Sequence, residues 1–215
     1  MHALIVVAHH DKQSLTHALA QQVAKGLASA GHTSEIADLI AEGFDPVFSK
    51  ADHAVHHGLA TPPPDVRAEQ TRIDRADTLV LVYPVYWWSM PALLKGWVDR
   101  VFSNGWAFGY NADGSTRKLL RGMKVHLLAV AGADTGLFQR HGYSEAMRVQ
   151  IEHGMFDYCG AQVLSSTLLT DSETQDPKAH LRTALAVGEQ LFAEVSPSTT
   201  IRPTASNAPY ATRTA

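Results

Sequence analysis

Residues 3–8, Ala-Leu-Ile-Val-Val-Ala, are apolar without a break. A run of this kind lacks the alternation of a half-exposed strand and suits one buried on both faces of a parallel sheet. A second run reads the same way at residues 78–83, and residues 124–131 read as a third core strand. Residues 33–39 predict a weaker second strand and 162–167 a last one. Between them the period changes to that of a helix. Leu15, Leu19, Val23 and Leu27 fall every fourth residue and make one apolar stripe over 14–30, which Gly31 is placed to end. Further helices are predicted over 66–76, 91–102, 142–158 and 177–195. The buried face of 91–102 would hold Leu93, Leu94, Trp97, Val98, Val101 and Phe102.

Strands alternating with helices predict an α/β fold, a parallel sheet wound on both faces by helices. Two segments stand outside the pattern. Residues 44–65 carry Pro46, Pro62, Pro63 and Pro64 with His53, His56 and His57 between them, which reads as an irregular excursion holding a short helix. Residues 196–215 are rich in Ser, Thr, Pro and Ala and lack periodicity. They read as an irregular C-terminal tail after a domain spanning 1–195.

With 45% apolar and 18% charged residues the chain is globular. Its net charge of −3 and the lack of any Lys/Arg run argue against nucleic acid as a partner. The single cysteine, Cys159, rules out an intrachain disulfide and fits a reducing compartment. The first apolar run has no basic flank and is too short for a signal segment or a membrane span, so the expectation is a cytoplasmic protein. His53, His56 and His57 have no neighbouring cysteine to complete a zinc site and are expected to be solvated, with no metal. Cys159 reads as a small buried residue. Asp99 and Arg100 read as a solvated or dimer-facing helix pair.

In an open parallel sheet, ligands bind beyond the carboxyl ends of the strands where the strand order reverses. Three segments qualify. The first, after strand one, runs His9-His10-Asp11-Lys12-Gln13-Ser14-Leu15-Thr16. Helix N-terminal N–H groups with the Ser14 or Thr16 hydroxyl make an anion site, to which His9 adds a donor. Ser14 as a plain helix cap reads equally well. The phosphate loop G-x-x-x-x-G-K-[ST], the dinucleotide fingerprint G-x-G-x-x-G after the first strand, and the G-x-S-x-G elbow are all absent.

The second segment, Pro84-Val85-Tyr86-Trp87-Trp88-Ser89-Met90, clusters three aromatics where a strand ends. A flat isoalloxazine ring would cover them, and so would a dimer interface. The third, residues 131–141, opens with Ala131-Gly132-Ala133, whose small side chains let the backbone approach a ligand. His141 closes it, as a donor to a bound ring or as a simple surface histidine.

Together these segments resemble the NAD(P)H:quinone reductase (DT-diaphorase) family of the flavodoxin-like superfamily. The likeness rests on residues 3–9, on 83–102 with Pro84, Trp87, Pro91, Leu94-Lys95-Gly96-Trp97 and Arg100-Val101-Phe102, and on 156–164. It spans roughly residues 3–190. The resemblance implies a flavodoxin-like, doubly wound five-stranded sheet of order 2-1-3-4-5 and a homodimer with a flavin, FAD before FMN, at each site. Electrons would pass by two-electron hydride transfer from NAD(P)H through the flavin to a quinone-like acceptor.

Carried over by position, His9, Ser14, Leu15 and Thr16 would hold the flavin phosphates. Pro84, Val85, Tyr86, Trp87 and Trp88 would line the ring, and Ala131, Gly132 and Ala133 would approach it. Phe108 and Tyr110 would reach over the partner's substrate pocket, with Phe138 beside it, and His141 would be catalytic.

The family has a tyrosine before that histidine, where Phe138 stands here. Phenylalanine can pack but carries no proton, so the charge falls to His141 alone, to Tyr143 or to another group. His180 or Arg182 stands in for a family arginine near the adenine. Other uses of the same fold are an FMN-dependent azo or nitro reductase, an ancillary subunit of a potassium efflux system, and a flavin-free interaction protein.

Overall fold

The computed structural model describes residues 1–193, so the expected tail lies outside the described residues. Five strands form one parallel sheet: β1 (His2–Val7), β2 (Thr33–Asp38), β3 (Thr78–Pro84), β6 (Lys124–Val130) and β7 (Gln162–Leu169). Their order is β2-β1-β3-β6-β7, the expected 2-1-3-4-5 arrangement once a small separate hairpin, β4 (Phe108–Tyr110) with β5 (Thr116–Lys118), is set aside. The fold is flavodoxin-like.

Alternation along β1 explains the two layers. Leu4 and Val6 enter one apolar cluster, with Leu94 and Trp97 of α4 (Ala92–Val101) and with Ile151 and Phe156. Ala3, Ile5 and Val7 enter the other, with Leu19, Val23 and Leu27 of α1 (Leu15–Ser29) and Ala184 of α7 (Pro177–Gln190). A strand buried on both faces therefore reads as one apolar run. On the second face α1 and α7 touch at glycines: a Cβ on Gly26 would collide with the Leu185 carbonyl, and one on Gly188 with that of Val23.

The excursion at 44–65 contains one short helix, α2 (Lys50–His56), held by a Ser49–Asp52 capping box. It leads into α3 (Pro64–Asp74), which starts on its own proline. Arg100 does not belong to a solvated pair. Its side chain is 6% exposed; Nε donates to Asp52 Oδ2 (3.1 Å) and Nη1 to Asp65 Oδ2 and the Asp45 carbonyl (both 2.7 Å). Asp99, one residue earlier, faces solvent and pairs with Lys95. The helix face turns by about 100° per residue, which separates these neighbours. Arg100 thus fastens the whole excursion to α4.

Other expectations need correction. Residues 103–123 hold an antiparallel hairpin, β4 (Phe108–Tyr110) with β5 (Thr116–Lys118). Its three-residue strands are too short to show a period. Residues 135–141 form a short helix, α5 (Thr135–His141), capped by Asp134, in a segment for which no helix was predicted. The helix expected over 142–158 is divided. Gly142 in the left-handed conformation separates it from α5. Then α6 (Tyr143–Met147) passes into a π-helical stretch, Arg148–Asp157. The closing helix stops at Gln190, short of the expected 195.

Cys159 is buried, and desolvation raises its thiol to about 11, so it is a packing residue. His53 and His57 lie on α2 and its C-cap with Nε2 atoms 3.2 Å apart. Among the described residues no group of three or more His, Cys, Asp or Glu is placed to hold a metal. No described helix is long and apolar enough to cross a membrane.

Candidate active site

The strand order reverses between β1 and β3, so the loops after β1, β3 and β6 meet at one edge of the sheet. After β1, Ser14 is the N-cap of α1, and its Oγ accepts the His17 N–H (3.3 Å). The N–H groups of Leu15 and Thr16 have no acceptor among the described residues, as expected of a helix start. His9 Nδ1 accepts the Asp11 N–H at 3.0 Å. This places the proton of a neutral His9 on Nε2. His9 stacks on His10 (4.6 Å) and meets His17 edge-on (6.3 Å). Desolvation and then His10 hold its pKa below the ordinary histidine value. The expected hydroxyl, histidine and free amides are brought together.

After β3, Tyr86 and Ser89 exchange two backbone hydrogen bonds of 3.1 Å. The two residues between them, Trp87 (φ 49°) and Trp88 (φ 60°), both lie in the left-handed region. Paired positive φ values make the tight hairpin turn that normally carries Asn-Gly. For a residue with a Cβ the conformation costs roughly 1–2 kcal/mol, and non-glycine strain of this kind clusters at functional sites. Trp87 is 92% exposed, so no contact among the described residues covers the side chain of this strained turn.

Trp88 is half-buried, stacked on Tyr143 and edge-on to Phe138 (5.4 Å). Phe138 itself is buried. Val85, Trp87, Trp88, Ala131, Gly132, Ala133 and Phe138 line one recess of about 200 Å³. The N–H groups of Trp87, Trp88, Gly132 and Ala133 in its walls have no acceptor among the described residues. Aromatic and apolar walls with four free amides fit a flat heteroaromatic ring, and the α1 start fits its phosphate. The donor set suits a flavin mononucleotide unit.

His141 is exposed at the end of α5, with its ring 5.3 Å from that of Tyr143. The Tyr143 ring thus lies beside both His141 and Trp88, and Phe138 is buried. Phe108 is buried under Tyr158 and Tyr110, and Tyr110 is 51% exposed. His180 is buried, with Nε2 lacking a partner, while Arg182 is exposed.

The family profile described as "Flavodoxin-like fold" matches residues 1–191. An NAD(P)H:quinone oxidoreductase from Methanothermobacter marburgensis superposes with a TM-score of 0.81 and 30% identity, over 89% of this chain and 98% of that one. The chain belongs to the NAD(P)H:quinone reductase family of flavodoxin-like proteins. Within this family it is 30% identical over 184 residues to the ribosyldihydronicotinamide dehydrogenase [quinone] of Pongo abelii, covering 75% of this chain and 78% of the relative. It is 29% identical over 185 residues to NAD(P)H dehydrogenase [quinone] 1 of Cavia porcellus, covering 77% and 67%. The expectation of an NAD(P)H dehydrogenase (quinone) enzyme agrees with this family.

The sequence alone missed His17 as part of this edge, whereas Tyr143, one of the alternatives it offered for the charge, lies beside His141 and Trp88. His17 is three residues beyond Ser14, a spacing that puts a side chain beside a helix cap, and that signal was legible.

Proposed function

We propose that this enzyme passes two electrons from NAD(P)H to a quinone-like acceptor through a bound FAD, acting as a cytoplasmic homodimer. The observation that carries the reading is the strained, uncovered Trp87-Trp88 turn beside four free amides and the open start of α1. A flavin held there would supply the redox chemistry, two-electron transfer between NAD(P)H and the acceptor. The protein's part is orientation and charge stabilisation.

Ser14, the Leu15 and Thr16 amides and His9 hold the phosphate. Pro84, Val85, Tyr86, Trp87 and Trp88 line the ring on one side, with Ala131, Gly132 and Ala133 on the other. His141, with Tyr143 beside it, stabilises negative charge as the ring is reduced. Phe108 and Tyr110 of the partner subunit close the acceptor pocket against Phe138 and Trp88. The Tyr110 ring supports this role, because it is 51% exposed among the described residues.

The test is the absorption spectrum of the purified chain, followed by heat release and chromatography of any flavin. FAD that is bleached by NADH or NADPH and recoloured by a quinone is the expected result. FMN keeps the chemistry and corrects the cofactor. A chain that takes up neither flavin overturns the reading.

A further inference from the structure

Three side chains beside the phosphate site form a continuous hydrogen-bonded chain that the redox reading does not use. Asp38 at the end of β2 meets His17 on α1, with Nε2 3.1 Å from Oδ2. The other ring nitrogen, Nδ1, lies 3.0 Å from Ser14 Oγ. His17 is buried, so these two contacts set its ring. Asp38 Oδ1 also accepts the Ala41 N–H at 3.1 Å. Desolvation pushes the Asp38 carboxyl upward, but the bonds from Ala41 and His17 outweigh it and hold the group below its ordinary value. Asp38 is therefore an anion at neutral pH.

We propose that Asp38, His17 and Ser14 form a proton-linked relay that turns the Ser14 hydroxyl toward an anion bound at the start of α1. The inference rests on the reading of that edge as a flavin phosphate site. A serine hydroxyl has one proton and two lone pairs. Anionic Asp38 selects the His17 tautomer with its proton on Nε2, since a bare Nε2 would oppose the carboxylate. Nδ1 is then an acceptor, and it takes the Ser14 proton. Ser14 also accepts the His17 backbone N–H, so it presents a lone pair to an incoming phosphate.

A second proton on His17 reverses the arrangement. Nδ1–H donates to Oγ, the backbone N–H fills the other lone pair, and the hydroxyl proton is left for the phosphate. Binding in this form takes up one proton, and affinity rises as the pH falls.

Other titratable groups face His17. His9 meets it edge-on from the β1–α1 loop, with His10 stacked behind and Asp11 bonded to His9 Nδ1; Asp38 comes from β2. His9 adds a pH dependence of its own, so the relay is best measured with His9→Asn as background.

The experiment titrates the full-length, flavin-stripped chain with FAD and FMN between pH 6 and 9, following fluorescence quenching. The His9→Asn chain is expected to lose about tenfold in affinity per pH unit over the upper part of that range, the slope of one linked proton. Adding His17→Gln, which keeps a polar side chain but cannot titrate, is expected to flatten the slope to under twofold per unit. Nitrogen NMR of the His17 ring is expected to show it taking up a second proton as flavin binds.

An unchanged slope in His17→Gln, or a His17 that stays neutral in the complex, overturns the relay and leaves the flavin site intact. If neither flavin binds at any pH, the site reading itself fails. The same His17 signals are then followed with inorganic phosphate, and a ring that remains neutral at saturation overturns the relay as well.

Discussion

The indole of Trp88 lies flat on the ring of Tyr143, with centroids 3.9 Å apart and planes 9° from parallel. The His141 ring is also stacked with Tyr143, 5.3 Å away at 23°. The stack joins the strained turn after β3 to the junction of α5 and α6, so the two residues nearest the expected chemistry are positioned by one another.

Tyr143→Ala removes the stack. An aromatic pair is worth about 1 kcal/mol beyond its buried area, which corresponds to about a fivefold weaker flavin or acceptor affinity. Tyr143→Phe keeps the stack and loses only the hydroxyl. With His141→Asn, it is expected to leave flavin affinity unchanged and to slow flavin reduction by NAD(P)H tenfold or more, the lower range of a proton-handling group. Stopped-flow absorbance separates the two effects. Unchanged rates in both variants would remove His141 and Tyr143 from the chemistry.

Trp87→Asn trades function for stability. Asparagine tolerates the left-handed region, and Trp87 at 92% exposure has little packing to lose. The variant is expected to gain up to about 1 kcal/mol in the flavin-free chain, a rise of roughly 2–4 °C in Tm for a chain of this size. Flavin binding is expected to weaken. A flavin-free variant that melts below the wild type would show that the turn is not strained.

Acid should weaken the fold through His126. This β6 residue is buried, with Nδ1 2.7 Å from Ser165 Oγ and Nε2 unpartnered. Desolvation, followed by Lys124, lowers its pKa from 6.5 to about 4. The unfolded chain therefore binds a proton near pH 6.5 that the folded chain refuses until about pH 4. Stability is full above pH 6.5 and falls through that window by an amount on the order of 3 kcal/mol. Urea unfolding at pH 7 and pH 5 should show the loss, and His126→Gln should remove most of the difference between the two pH values.

Arg100→Ala should cost about 3–5 kcal/mol, because it leaves the buried Asp52 carboxylate without its cation. Arg100→Lys should recover only part of this, since one ammonium cannot reproduce the guanidinium fork that reaches Asp52, Asp65 and the Asp45 carbonyl. Chemical denaturation gives the magnitude, and limited proteolysis within 44–65 is expected to become faster.

Close contact between helices is tested by Gly188→Ala. The new Cβ would strike the Val23 carbonyl of α1, and backbone atoms cannot step aside as a side chain can. A loss of several kcal/mol is expected, above the range of about 1–3 kcal/mol typical of overpacking. A loss below 1 kcal/mol would mean that α1 and α7 separate easily.

The sequence by itself determined the sheet and its layers. A strand covered on both sides must be apolar at every position, and β1, β3 and most of β6 state this outright. The leucine stripe of α1 and the caps at Ser14 and Gly31 are equally local, because they depend on residues within one or two helical turns. The segments at the carboxyl ends of the strands were legible for the same reason, as they follow directly from where each run stops.

Tertiary structure decided what depends on distant partners. Arg100 is buried only because Asp45, Asp52 and Asp65 arrive from an excursion that no local period describes. Asp38 reaches His17 only because β2 pairs in parallel with β1 and brings its end to the start of α1. The paired tryptophans turn left-handed against their own steric preference, and Phe138 turns inward while Tyr143 takes the place beside His141. For Arg100, His17 and Phe138 the deciding contacts cross between segments distant in sequence, and such contacts exist only once the strands have been ordered; the Trp87 backbone keeps a strain of roughly 1–2 kcal/mol under a side chain that is 92% exposed.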